Sequence, residues 1–536
     1  MSTLRMETMS GPAANRVVRR AGRHTAFAAM VLLAACGTGG DSGQEPNTPL
    51  TTPMALVVNQ DDTSVTTLRL DGKGTPTINT LSLGPAQNDA IGGLTFSLGE
   101  WIFVTHTEGN RVAYVDPIGS LTPILEDFLT ANGDPKVGQR PTHIVRDPTN
   151  KEVLWVLNAG DVAQGGVDTT LCTTSQTGSY TVLHNSHLSV GGTKPHIVTT
   201  QCLPVGIGQT SLVFSQPTST NPSMPKWGFI ATKATGKIAL VDNNPASAQN
   251  QYRSTTFLNM CNVSKEACDP SPLSTVANGS APENLLWSRA TGKVYAYLSG
   301  YRSVVEIDPA FSFGPGNTFP WPTGRTIDLS AAPFDQVSNV SMSVTPDGRF
   351  LFLVGEDTAS DANKVIGRFG VVQLDATLPT DPLTVTSFTV PQLDNIRPAQ
   401  FQFAPDGKRL YLTQSNAFVG LQTAAQAQNY KKDKLLVFDP STLPAAPTFL
   451  AEVSLPAVAT DGRHGMDLWN TGAQGAGSAR GVVVTNASHG INGSVSLIDA
   501  ATHRITATIP VGKNPKQVTV YYVGLAASDN QAIPTW

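Results

Sequence analysis

Eight histidines follow residue 35: His106, His143, His184, His187, His196, His464, His489 and His503. Four recur in comparable settings: His143 in RPTHIV, His464 in DGRHGMDL, His106 in FVTHTEGN and His489 in NASHGING. Neutral imidazoles converging on one opening can bind copper, zinc or a haem iron. An imidazole beside arginines can instead serve as general base and oxyanion stabiliser in lactone hydrolysis. The same groups can hold an anionic ligand or a partner's acidic side chains. Arg140, Arg397, Arg463 and Lys516 stand at equivalent positions, so positive charge accompanies the imidazoles. The structural alternative is that each His is a turn or rim residue making one backbone hydrogen bond. No HxH or HExxH spacing ties two imidazoles to one ion, so no metal is assigned. A GxSxG elbow, a P-loop and an EF-hand run are also absent.

The elements that must position these residues repeat. Segments of the form VSLID end at Asp71, Asp116, Asp242, Asp308, Asp375, Asp439 and Asp499. Most intervals fall between 60 and 67 residues, and the one of 126 hides a degenerate copy, SYTVLHN at 179–185. Each segment alternates apolar with small or polar residues, and another strand-like run precedes it, such as KWGFIAT or FLFLVGE. TPDGR at 345–349, APDGK at 404–408 and two copies of ATGK supply hairpin turns. The terminal Asp of each segment suits an Asx turn. A period near 60, four strands per copy and no credible helix predict an all-β propeller. Eight blades follow from the spacing; seven follow if 179–261 forms one blade. MALVVNQ (54–60) lacks an innermost strand and KQVTVYYV (516–523) lacks a following blade, so the C-terminal strand is expected to complete the first blade.

The stretch RGVVVTNASHGINGSVSLIDAATHRITATIPVGKNPKQV, residues 480–518, resembles the YVTN-type β-propeller repeat of bacterial surface and exported proteins. RPTHIVRDP and RPAQFQFAPDGKRLYLTQ resemble the same repeat and the lactonase-type propellers. The resemblance implies the fold for most of 54–523; such repeats carry many unrelated activities.

The N-terminus points to export. Arg16, Arg19, Arg20 and Arg23 precede the apolar run at 25–35, which is too short to span a bilayer. LLAAC resembles the lipobox of bacterial lipoproteins, with Cys36 the lipidated residue, and Gly37 after it implies sorting to the outer membrane. Residues 1–35 are expected to be the signal peptide, 36–53 a tether, 54–525 the propeller and 526–536 a tail. Loss of the leader leaves 31 basic and 39 acidic residues, which argues against nucleic acid as a partner. The four remaining cysteines suit two disulfides in an oxidising compartment, most simply Cys172–Cys202 and Cys261–Cys268.

Propeller geometry groups the lead-ins to the innermost strands with the loops joining second to third strands on one face. Long insertions at 158–178, 357–366 and 416–432 project there, as do His106, His143, His464 and His489; 313–324 projects from the other. HNSHLSVGGTKPH (184–196) reads as a surface loop stapled by Cys172–Cys202, and AQAQNYKKDK (425–434) as a solvated polar loop. The leading expectation is a lipid-anchored binding module in the cell envelope, presenting its loop-rich face to a protein, polymer or small ligand. The alternatives are an enzyme with copper or haem at the funnel and a lactonase-like hydrolase.

Overall fold

Period-two alternation places every second side chain on one face of a strand, and the repeated segments all form strands. The computed structural model describes residues between 52 and 523. Its longer gaps are 71–77, 83–90, 97–101, 116–137, 160–177, 185–195, 204–208, 245–250, 262–275, 311–322, 375–382, 415–420, 458–463 and 470–479, with several shorter ones. The expected leader, Cys36, most of the tether and the C-terminal tail lie outside the described residues. The described residues fall in one compact unit.

The described strands form eight sheets: seven complete blades of four or five strands and a three-stranded sheet at Ile91–Phe96, Ile102–His106 and Arg111–Val115. The chain is an all-β propeller. The VSLID-like segments supply the third strand of each sheet, including the degenerate copy, Ser179–His184. Residues 179–261 are divided between two sheets, because Ser179–His184 pairs with Val153–Asn158 and His196–Cys202 with Ser179–His184, while Gln209–Phe214 opens a new blade.

Burial follows position in the blade. Second strands such as Val153–Asn158, Phe350–Asp357 and Gly481–Asn486 are buried along their whole length, since a neighbouring blade covers each face. First strands from neighbouring sheets approach one another at most junctions, so they line the axis. Accordingly Val337–Val344 exposes some residues and buries others, and the outermost Arg504–Lys513 is mostly accessible. Apolar clusters fill the seams. One joins Trp155 and Tyr180 of the third sheet to Phe214 and Ile230 of the fourth; another joins Phe352 and Phe369 of the sixth to Phe403 and Phe438 of the seventh. At roughly 1.5–3 kcal/mol per fully buried large apolar side chain, these seams are the main stabilising term.

Ring closure follows the expected plan. Pro515–Val523 pairs antiparallel with Thr52–Asn59, giving the first blade its innermost strand. Asp61 and Asp62 clasp the junction: Gly490 N and Asn514 Nδ2 donate to Asp61, and Lys513 N donates to Asp62. The Asx turns also form at Asp242, Asp308, Asp439 and Asp499, each accepting from the backbone N–H two residues on. Hydrogen bonds from Ser441 to Asp439, and from the backbone N–H and hydroxyl of Thr502 to Asp499, hold these two carboxyls below their usual range. Asp71, Asp116 and Asp375 lie outside the described residues. Gly348 and Gly407, with φ near +75° and +68°, close the two Pro-Asp-Gly turns in a conformation that a side chain would strain.

Candidate functional site

Side chains of one blade reach the backbone of the next blade's innermost strand. Ser211 Oγ accepts from Leu285 N, Asn284 Nδ2 donates to Val340 O, and Asp467 accepts from Val520 N. Gln400 grips one residue twice, its Oε1 accepting from Met466 N and its Nε2 donating to Met466 O. All four contacts run from one blade to the next in the same direction.

This frame separates the expected site residues. His143 sits on the innermost strand Pro141–Arg146 and is exposed, with Arg140 also exposed just before it. The ring is nonetheless crowded by protein, and burial holds its pKa below the usual imidazole value, so it is neutral at pH 7. Its Nδ1 lies 3.1 Å from the Thr142 hydroxyl. Lys516 is likewise exposed on the closing strand.

Two expected rim residues are buried and paired within the protein. Arg397 is buried and forms a bidentate pair with Glu356, with both bonds at 2.7 Å. Its charge is neutralised across the seam between sixth and seventh blades. His464 is fully buried, its Nδ1 donating to Thr485 O at 3.0 Å and its Nε2 facing Asp433 Oδ1 at 3.1 Å. A carbonyl can only accept, so Nδ1 carries the proton in that bond, and Nε2 is turned to the Asp433 carboxylate. His106 ends its second strand as expected but is buried. His489 and Arg463 lie outside the described residues. Among the described residues no group of three metal-ligating side chains comes together. His503 occupies a third-to-fourth-strand turn, on the other face, with φ near +54°.

The insertions at 357–366 and 416–432 are joined. The short helix Ala424–Asn429 presses a fully buried Gln426 against the other loop. Its Nε2 lies 2.8 Å from Thr358 O, 2.7 Å from Asp361 O and 3.3 Å from Lys364 O. Asn429 Nδ2 donates to Asn363 O, and Thr423 Oγ1 to Ala362 O. The polar run that reads as a solvated loop thus contains a buried amide. Ala359, Ser360, Ala362, Asn363, Gln428 and Asn429 form the exposed top of this ridge. The insertion at 158–178 lies almost wholly outside the described residues.

Asp467 is a site residue that the sequence reading passed over. It sits half-buried on the innermost strand Met466–Trp469, and desolvation pushes its pKa up to about 6 against hydrogen bonds from Val520 N, Leu468 N and Gln402. The available signal was a carboxylate inside the otherwise apolar MDLW. Cys202 and Cys261 are buried and disulfide-bonded, whereas Cys172 and Cys268 lie outside the described residues.

No family model and no curated protein matches the chain. Among solved structures, the dihydro-heme d1 dehydrogenase NirN is similar at TM-score 0.53 and 13% identity, covering 91% of this chain and 79% of its own. The periplasmic gluconolactonase PpgL of Pseudomonas aeruginosa aligns at TM-score 0.42 and 18% identity, covering 76% of this chain and 96% of its own. Apo AztD from Citrobacter koseri aligns at TM-score 0.44 and 12% identity, covering 88% and 98%. At these identities the likeness concerns the fold, and the NirN comparison supports the propeller arrangement.

Proposed function

We propose that this chain is an exported, lipid-anchored binding module whose working surface is the face carrying the ridge of residues 357–366 and 424–429. The observation that carries this reading is the buried Gln426 amide, which makes one rigid body of two insertions from adjacent blades. Loops that only connect strands need no such brace, whereas a recognition surface gains affinity when its loops are ordered beforehand. The reading includes lipid on Cys36, outer-membrane placement and the pairs Cys172–Cys202 and Cys261–Cys268. Intact-mass and non-reducing peptide analysis of the exported protein tests those parts.

For the surface itself, the full chain is immobilised and exposed to envelope extract of its host. The expected result is a retained protein or polymer that Ser360→Arg together with Asn429→Arg abolishes and that Asp347→Arg on the opposite face preserves. Equal retention by both variants would contradict the reading.

A second reading rests on His143, an accessible neutral imidazole beside Arg140. That pair suits base catalysis with stabilisation of a developing oxyanion, as a lactonase-like hydrolase requires. Lactone hydrolysis that falls at least a hundredfold in His143→Ala supports it; unchanged hydrolysis removes it.

A further inference from the structure

His143 follows a β-bulge. The ladder between Pro141–Arg146 and Val153–Asn158 shifts register between Pro141 and His143, leaving Thr142 as the extra residue. Neighbours on a regular strand point to opposite faces, whereas a bulge re-aims them. Here it lets the Thr142 hydroxyl meet the ring next to it. His143 Nδ1 lies 3.1 Å from Thr142 Oγ1, and that same Oγ1 lies 3.3 Å from Leu157 O. A carbonyl oxygen only accepts, so the single hydroxyl hydrogen is directed at Leu157. The hydroxyl then has only lone pairs to offer the imidazole, and Nδ1 must carry the hydrogen of that contact. Burial keeps the ring neutral, so a hydrogen on Nδ1 leaves a lone pair on Nε2. The same register position serves blade docking elsewhere. Ser211, Asn284 and Gln400 each follow a bulge of their own innermost strand, and each makes a side-chain bond to the next blade. Among the described residues His143 makes no such bond; its ring is held by its own strand and stays exposed.

We infer that Thr142 is a positioning residue that holds His143 as the Nδ1–H tautomer and so makes Nε2 the basic atom of the ring. The other tautomer would set an Nδ1 lone pair against those of Thr142 and leave Nε2 only a hydrogen to donate. The use of this lone pair rests on the hydrolase reading of His143 and sharpens it. In that reaction the water oxygen bonds to the lactone carbonyl carbon as one water proton passes to Nε2. The ring C–O bond then breaks, and the proton moves from Nε2 to the departing alkoxide. The second water hydrogen stays on the new carboxyl group until that group ionises.

The test is proton–nitrogen correlation NMR on the full exported chain, its histidine rings isotope-labelled at nitrogen and kept above their titration range. His143→Ala assigns the signals. The expected result is a protonated Nδ1 and a lone-pair Nε2 for His143. Thr142→Ser keeps that pattern, and Thr142→Val, which lacks the acceptor, moves the ring towards Nε2–H. Thr142→Ala takes its place should Thr142→Val not fold. An Nε2–H pattern in the native chain overturns the inference, and so does an unchanged Nδ1–H pattern in a folded variant without the hydroxyl. Hydrolysis is a separate arm. With a lactone that the native chain turns over, Thr142→Val should lower kcat at least tenfold and leave KM within twofold, while Thr142→Ser stays within threefold of native. An unchanged kcat in Thr142→Val overturns the role of Thr142 in the reaction. Turnover of no lactone removes the hydrolase reading, and the spectrum alone then decides the tautomer.

Discussion

At the residue scale, the roles of charged and imidazole groups turn on partners that lie far away in the chain. The Asx aspartates were legible because their acceptor geometry closes within two residues. His464 and Arg397 were not, since Asp433 and Glu356 reach them only through blade packing. Removing one member of a buried ion pair strands the other, at about 3–5 kcal/mol. Arg397→Met should accordingly destabilise the fold by that order in denaturant unfolding, with Glu356 left buried. A loss below about 1 kcal/mol would show that the pair is solvated. Asp467 makes a signed prediction. Its unfolded carboxyl titrates near 3.8 and its folded carboxyl near about 6. Between those values the folded chain holds a proton that the unfolded chain has lost, so its contribution to stability falls as pH rises. The decline is roughly 3 kcal/mol in total and is complete above the folded pKa. Unfolding curves between pH 4 and 7 should show this slope in the native chain and lack it in Asp467→Asn.

At the element scale, strands were readable and their docking was not. Alternation, Pro-Asp-Gly turns and the terminal Asp are local signals, and each third strand lies where they place it. The helix Ala424–Asn429 gave no such signal, because its stability comes from Gln426 meeting three carbonyls of another blade rather than from an apolar stripe. Gln426→Ala should free the loop at 358–364. Hydrogen exchange at those amides should quicken at least tenfold while the strands Phe350–Asp357 and Lys434–Asp439 keep their protection. Unchanged exchange would mean that the ridge stands without its brace.

At the scale of the whole molecule, the ring has one covalent break, and the pairing of Pro515–Val523 with Thr52–Asn59 spans it. The unpaired ends of MALVVNQ and KQVTVYYV made that closure readable. The direction of the channel-edge contacts was not, because side chains at neighbouring blades meet only once the ring is shut. Closure is also what brings the strand lead-ins and the ridge to one face, and what sets Val520 against Asp467. The most direct measurement is therefore a cross-link at the seam. Met54 and Tyr521 are register partners. The Met54→Cys, Tyr521→Cys double variant should oxidise to a near-complete disulfide in the native protein and raise its melting temperature by several degrees. Two cysteines that stay reduced in a folded chain would contradict the closed ring, and with it the working face.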